Sequence, residues 1–311
     1  MSIVTRIAAM LLGLFLLDGT ASAATPLKVV ASFSILGDIV AHIGGDKVQV
    51  VTLVGPDGDA HVYEPTPADA KTVGNADLVV VNGLGFEGWL DRLIKASGYK
   101  GKIIVASNGV KPRTMAEEDE HEHGHDHGHA HGDSDIDPHA WQNIDNGKLY
   151  AKNIAKALIE ADPVNEAAYR QAETAYLAEL TALATWAGEQ FAAIPDRQRR
   201  MITSHDAFGY LGDAYGIQIL SPVGVSTASE PSAGDVKQLI RQINKEHITA
   251  VFVENISDRR LIEQIARESK VAVGGALYSD ALSAQDGPAP TYIDMFRGNV
   301  EKIAGAMRQG R

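Results

Sequence analysis

The sequence predicts an α/β protein of two lobes, each a mainly parallel sheet flanked by helices, joined by one long helix, with a ligand cleft between the lobes. Three observations predict it. Short Val/Ile-rich runs alternate with helical patterns from residue 27 on, the order that builds parallel βαβ units. One helical stripe is then sustained over about 30 residues. After it the strand–helix alternation starts again. About 285 residues beyond the leader fit two domains as a prior from length.

Taken in order, residues 27–32, 48–54, 78–81 and 102–105 read as strands, and 35–43, 67–73 and 88–95 as the helices between them. Residues 146–160 read as a further helix. Asp162 followed by Pro163 reads as an N-cap with proline at the first helical position. The segment 164–193 then carries Tyr169, Ala172, Tyr176, Leu180, Leu183, Ala187 and Phe191 on one stripe, a packing face rather than a cofactor box. Pro195 closes it, and Arg197, Arg199 and Arg200 read as a solvated helix end. The second unit has strands at 201–203, 217–220, 250–253 and 271–273, and helices at 207–214, 233–244, 259–268 and 292–307. The expected division is 1–23 as leader, 24–161 as first lobe, 162–196 as linking helix and 197–311 as second lobe. No strong sequence repeat relates the halves.

The leader reading rests on Arg6, an apolar run at 7–17 and the Ala21-Ser22-Ala23 cleavage pattern of a secretory signal. That run is too short to read as a membrane span. No cysteine stands at the cleavage position, so a lipid anchor is not expected, and the mature chain is expected to be soluble and periplasmic. The chain has no cysteine at all, which excludes disulfides and thiolate ligands. A net charge of −12 argues against a nucleic-acid-binding basic surface and suits cation capture.

Six of the eleven histidines alternate through His121, His123, His125, His127, His129 and His131, among Glu117, Glu118, Asp119, Glu120, Asp133 and Asp135. Imidazole suits zinc, copper and nickel. A tract without apolar side chains cannot offset the entropy of ordering, so residues 115–136 read as a disordered loop that collects metal weakly. The alternative is a solvated loop with no role; an internal, acid-interleaved tract does not look like a purification tag.

Five histidines remain, and context separates them. His61 lies in a strand-exit loop that leads to a helix, and such loops face the crevice of open α/β sheets. His139, in Asp137-Pro138-His139-Ala140-Trp141, also leads into a helix. His205, in Ser204-His205-Asp206-Ala207-Phe208, leaves a strand's carboxyl end. His42, inside a helical pattern, and His247, at a helix end, read as structural.

These motifs, with Tyr63-Glu64-Pro65, the run from Asp77 to Gly83, Gly88-Trp89, Ser229-Glu230-Pro231-Ser232 and the run from Leu277 to Leu282, resemble the metal-binding solute receptors of ABC transporters, the branch for zinc and manganese. The acidic His-rich loop before Asp137 resembles the periplasmic zinc receptors in particular. The resemblance implies His61, His139, His205 and Asp280 as ligands of one tight Zn2+, with weaker sites on the tract. It implies a membrane permease as partner, with a periplasmic zinc chaperone as a further one, and a monomer that binds and releases without catalysis. The manganese branch resembles this pattern with a carboxylate at the third position, where this chain has His205. Three nitrogens and one carboxylate suit zinc, whereas manganese favours oxygen-rich sites.

Two further readings stay open on the residues alone: a manganese or other divalent-metal receptor, and a zinc hydrolase. Three histidines can hold catalytic zinc with an open position. Against that, there is no H-E-x-x-H motif. A surface adhesin or sequestering protein is less favoured by the leader. Asp206 reads either as an acceptor for a ligand imidazole or as the cap of a helix starting at Ala207. Glu64 and Glu230 are ambiguous between cleft and loop. With a reference imidazole pKa of about 6.5, zinc affinity is expected to fall below about pH 6.

Overall fold

The computed structural model describes residues 25–114, 136–228 and 231–309. The expected leader at 1–23, the six tract histidines and Glu230 lie outside the described residues.

The first sheet holds β1 (Leu27–Phe33), β2 (Val48–Val54), β3 (Leu78–Val81) and β4 (Lys102–Val105), in the order β2-β1-β3-β4 and all parallel. Helices α1 (Ser34–Gly44), α2 (Pro67–Gly74) and α3 (Leu90–Ser97) make the crossovers. Thr66 and Asp69 form a capping box that starts α2. Strands buried on both faces explain the Val-rich run Leu78–Val81, in which all four residues are buried.

A short antiparallel pair follows, β5 (Arg113–Thr114) with β6 (Ile136–Asp137). It was not legible in the sequence, because two residues carry no period. It brings together the two ends of the His-rich segment, and places Ile136 in the fold rather than in the loop. Helix α4 (Ile144–Ala161) comes next, its first turn capped by Asn143.

The long helix is α5 (Glu166–Ala192), 27 residues or about 40 Å at 1.5 Å per residue. Its buried residues are Tyr169, Tyr176, Leu180, Leu183, Ala187 and Phe191, with Ala172 partly exposed beside them. The predicted start is corrected. A 3-10 turn at Pro163–Asn165 precedes α5, and Asp162 caps no backbone N–H with its side chain. Its carboxylate instead accepts from Asn165 Nδ2 and Tyr169 OH, both at 2.7 Å. The arginines are corrected too. Arg199 donates to the Ile194 carbonyl and Arg200 pairs with Glu246, so only Arg197 is a freely exposed end.

The second sheet holds β7 (Arg200–Ile202), β8 (Gln218–Leu220), β9 (Ala250–Glu254) and β10 (Val273–Leu277), in the order β10-β9-β7-β8 and again parallel. Counted from its own first strand, that order is 2-1-3-4 read from the other edge, the same as in the first sheet. The halves share a topology without sharing a sequence repeat. Helices α6 (Gly209–Tyr215), α7 (Ala233–Glu246) and α8 (Arg259–Ser269) connect the strands, and α9 (Tyr292–Gln309) ends the described chain.

The last strand departs most from its predicted span of 271–273. The Val271 N–H closes the end of α8 on the Ala266 carbonyl, so pairing starts at Val273. It continues through Gly274 and Gly275, residues of low strand propensity, with a register irregularity before Ala276 and Gly275 at φ +120°. Two cores form. The smaller, inside the second lobe, gathers residues such as Ile202, Leu239, Val251 and Ile262. The larger runs from β1 and β3 through α1, α4 and α5 to α9, so the C-terminal helix packs back on the long helix and the first lobe. No described helix is long and apolar enough to cross a membrane.

Candidate metal centre

Open parallel sheets bind ligands beyond the carboxyl ends of their strands, where the strand order reverses. In each sheet that crevice lies between the first and third strands, and the two crevices face one another here. His61 follows β2, His139 follows β6, His205 follows β7 and Asp280 follows β10. Four residues far apart in sequence thus meet at one point: their ligand atoms all lie within 4.8 Å of one another.

Four of the contacts among the donors are short. Nε2 of His61 is 3.2 Å from Nε2 of His139. Oδ2 of Asp280 is 3.1 Å from Nε2 of His205 and 3.2 Å from Nε2 of His61. Oδ1 of Asp280 is 3.5 Å from Nε2 of His139. A tetrahedron with zinc–nitrogen bonds of ~2.0–2.1 Å has edges of about 3.3 Å. Two imidazole nitrogens at 3.2 Å cannot both carry protons between them, and Asp280 Oδ1, fully buried, has no hydrogen-bond partner. The donor set therefore fits a small tetrahedral cation. His139, His205 and Asp280 are at most 1% exposed, and the His61 side chain 6%.

Each donor is fixed by groups beside it. Trp89 Nε1–H holds the Ala60 carbonyl at 2.8 Å, and Asp59 Oδ1 accepts the His61 N–H. Asn82 Nδ2–H holds the Pro138 carbonyl at 2.9 Å, while Asn82 Oδ1 accepts from Tyr150 OH. Buried Glu87 accepts the backbone N–H groups of Asn82 and Gly83 and the Ser32 hydroxyl, which fixes the turn that carries Asn82. Trp141 Nε1–H and Gln142 Nε2–H both hold the Ser279 carbonyl, next to Asp280. Phe86 lies edge-on to His61 and His139, and both Phe86 and His139 meet Trp141, an apolar wall that excludes water.

Behind two of the imidazoles stand carboxylates. Asp137 Oδ1 accepts from Nδ1–H of His139 at 2.8 Å and from the His139 N–H at 2.9 Å. Its Oδ2 pairs with Arg113 at 3.2 Å. Glu254 Oε1 accepts the N–H groups of Ser204 and His205 at 2.7 and 3.0 Å. Its Oε2 lies 2.6 Å from His205 Nδ1, a contact of charge rather than an aligned hydrogen bond. Burial opposes charge on His139, but Asp280 and Asp137 outweigh it and push the imidazole up to about 9. Burial likewise opposes charge on His205, and Glu254 with Asp280 carries it well above its ordinary value. Burial favours neutral Asp280, but His139 and His205 hold it well below the usual carboxylate range.

The charges count simply. Asp137, Glu254 and Asp280 outnumber Arg113, an excess of negative charge that imidazolium protons or a divalent cation would offset. The site as folded suits the replacement of imidazole protons by a divalent cation.

The sequence reading brought forward all four donors, and the structure puts them together. His42 pairs with Asp38 and stacks on Tyr176, and His247 ends α7 in the left-handed region at φ 52°. Both are away from the cluster. Asp206 is corrected: α6 starts at Gly209, and the Asp206 N–H goes to the Gly224 carbonyl, so it does not cap that helix. The acceptor role it was offered belongs to Asp137 and Glu254. Burial pushes the Asp206 carboxyl up. Glu64 is exposed at the head of α2, away from the donors. Sequence reasoning missed Glu254. Its signal was a single charge ending the buried strand Ala250–Glu254, at the carboxyl edge where ligands bind.

The profile of a protein family described as the zinc-uptake complex component A, periplasmic, matches residues 29–306. A manganese-binding lipoprotein of Halalkalibacterium halodurans is 31% identical over 291 residues, covering 94% of this chain and 92% of its own. The manganese ABC transporter substrate-binding lipoprotein PsaA of Streptococcus pneumoniae is 32% identical over 317 residues, covering 99% and 98%. Among solved structures, a Mn-bound periplasmic metal-binding protein from Candidatus Liberibacter asiaticus superposes with a TM-score of 0.77 at 32% identity, covering 90% of this chain and 99% of its own. The periplasmic zinc-binding protein TroA of Treponema pallidum gives 0.82 at 27% identity, covering 91% and 99%.

Proposed function

The chain belongs to the family of periplasmic zinc-uptake component A proteins, receptors of metal ABC transporters, and on that premise we propose that it captures one Zn2+ at His61, His139, His205 and Asp280 and delivers it to a membrane permease. The observation that carries the zinc assignment is the donor set: three imidazole nitrogens and one carboxylate whose ligand atoms all lie within 4.8 Å of one another. The work is binding and release. A receptor of this family breaks no substrate bond, and a carboxylate in the fourth position fills the place a hydrolase keeps for water.

Manganese is the second reading, favoured by the names of relatives such as PsaA. The two readings part at His205. Uptake decides between them, because zinc outbinds manganese at most N/O sites: deleting the gene should lower cellular zinc and leave manganese unchanged, and a loss of manganese alone would overturn the zinc assignment. Loss of zinc-limited growth on deletion of the gene tests delivery.

The His121–His131 tract is proposed as an auxiliary collector of further zinc, tethered beside the site because β5 and β6 hold its ends next to Asp137. The proposed boundaries are 24–161 and 197–311 for the lobes and 162–196 for the link. A cleavable leader, release as a soluble periplasmic monomer and loading by a zinc chaperone complete the proposal. The relatives named lipoproteins would need a cysteine for their lipid, and this sequence contains none.

A further inference from the structure

The donors explain where a metal sits. They do not explain why each imidazole presents Nε2 with its lone pair free. A neutral imidazole carries one proton, and the partner of the far nitrogen decides which nitrogen keeps it. His139 and His205 both have a carboxylate on the far side, but the two carboxylates are wired differently.

We infer that Glu254 sets the tautomer of His205 in a way that an amide cannot reproduce, whereas Asp137 holds His139 in a way that an amide can. The inference rests on the receptor reading above. Glu254 divides its oxygens: Oε1 takes two backbone N–H groups, of Ser204 and His205, and Oε2 faces only Nδ1 of His205. Two lone pairs at 2.6 Å repel, so the close approach of Oε2 favours the tautomer that keeps the ring proton on Nδ1. Glutamine at this position must keep its oxygen on the two backbone donors, which leaves its NH2 against Nδ1. That nitrogen must then accept, the ring proton moves to Nε2, and Nε2 no longer ligates. Turning the amide over would set its NH2 against two buried backbone N–H groups, each of which would lose its only described acceptor.

Asp137 gathers its work for His139 on a single oxygen. Oδ1 accepts both the N–H and the Nδ1–H of His139, and Oδ2 serves Arg113. Asparagine can leave its oxygen on His139 and turn its NH2 towards Arg113, whose partly exposed side chain can move away to its other partner, Asp213. Both substitutions remove one buried negative charge beside the site. Their difference therefore isolates the tautomer from the charge. Neither residue touches the metal position; both are positioning residues.

The test compares the wild-type chain, Glu254→Gln and Asp137→Asn, each titrated with zinc and each, zinc-loaded, examined by X-ray absorption to count imidazole ligands. Glu254→Gln should lose about 10–100-fold in affinity, the range for groups that orient metal-bound histidine, and should show two imidazoles. Asp137→Asn should lose only a few-fold and keep three, as the wild type does. Equal losses in the two variants, or three imidazoles and wild-type affinity in Glu254→Gln, would overturn the inference while leaving the receptor reading in place. Fewer than three imidazoles in the wild type would overturn the ligand assignment and the inference with it. Should Glu254→Gln not fold, the long-range 1H–15N spectrum of the zinc-loaded wild type decides. A proton on Nδ1 of His205 supports the inference, and one on Nε2 overturns it.

Discussion

Lowering the pH should weaken zinc binding from about pH 9 downwards, well above the window near 6 that an unperturbed imidazole implies. The magnitude follows from the site. His139 is pushed up to about 9, and His205 lies well above its ordinary value, because Asp280, Asp137 and Glu254 surround them. Below about pH 9 His139 holds a proton that zinc must displace, and His205, raised well above its ordinary value, holds a second near neutral pH. Two protons released per ion make the apparent affinity change about 100-fold per pH unit, or about 2.7 kcal/mol at about 1.36 kcal/mol per proton and unit. The same protons have the opposite effect on the metal-free fold. Raised folded-state values stabilise it fully below about pH 6.5, and that support is lost as the pH rises through about 9. Competition titrations from about pH 6 to about 9 read the slope. Calorimetry in buffers of different ionisation enthalpy counts the protons, and melting of the metal-free protein reads the stability. A slope of one proton or fewer near neutral pH, or a metal-free melting temperature that rises from about pH 7 to about 9, would refute the charge count.

His205→Ala should cost more affinity than the ~10–100-fold typical of a residue behind the ligands, whereas His247→Ala should leave zinc titrations unchanged, since His247 only ends α7. Asn82→Ala should destabilise by about 1–3 kcal/mol, because it frees the Pro138 carbonyl and strands the buried Tyr150 hydroxyl; thermal melting checks it, and an unchanged melting temperature would show that the network carries no load. Deleting 117–134 should leave one tight zinc by calorimetry and remove the weaker stoichiometry, because His139 lies beyond the deletion; loss of the tight site would mean that the tract supplies a primary ligand.

Period and punctuation carried most of the fold. The strands Val48–Val54, Leu78–Val81 and Lys102–Val105 have the bounds their apolar runs suggest, because each is a parallel strand ended by a polar turn. Where the structure departs, the cause is local. β10 hides behind a Gly-Gly pair that no propensity would place in a strand. The Asp162–Pro163 cap failed because Asp162 had a stronger partner in the Tyr169 hydroxyl, seven residues on. The four donors were legible because each sits in a short, polar, chemistry-bearing loop. Glu254 was not, and Asn82 stood in a motif without its role, since a side chain that works by bridging two distant segments leaves no mark of that task in its own neighbourhood. Asp137 was visible as part of a motif, but its task, one oxygen on His139 and the other on Arg113, exists only after folding.

The same logic explains how one fold can carry both zinc and manganese names among its relatives. Charge does not separate the two ions, since any divalent cation offsets the carboxylates Asp137, Glu254 and Asp280 equally. The groups behind the donors do not separate them either, because Trp89, Asn82 and Trp141 hold backbone carbonyls and are indifferent to the ion. What remains is the donor count. With His205 in place the site offers three nitrogens and one carboxylate, a set that zinc accepts at four-coordination and that is poor in the oxygens manganese favours. A carboxylate at the same position would add a negative charge and an oxygen together. The donor that distinguishes the two readings is therefore His205, because it sets the balance of nitrogen and oxygen in the site.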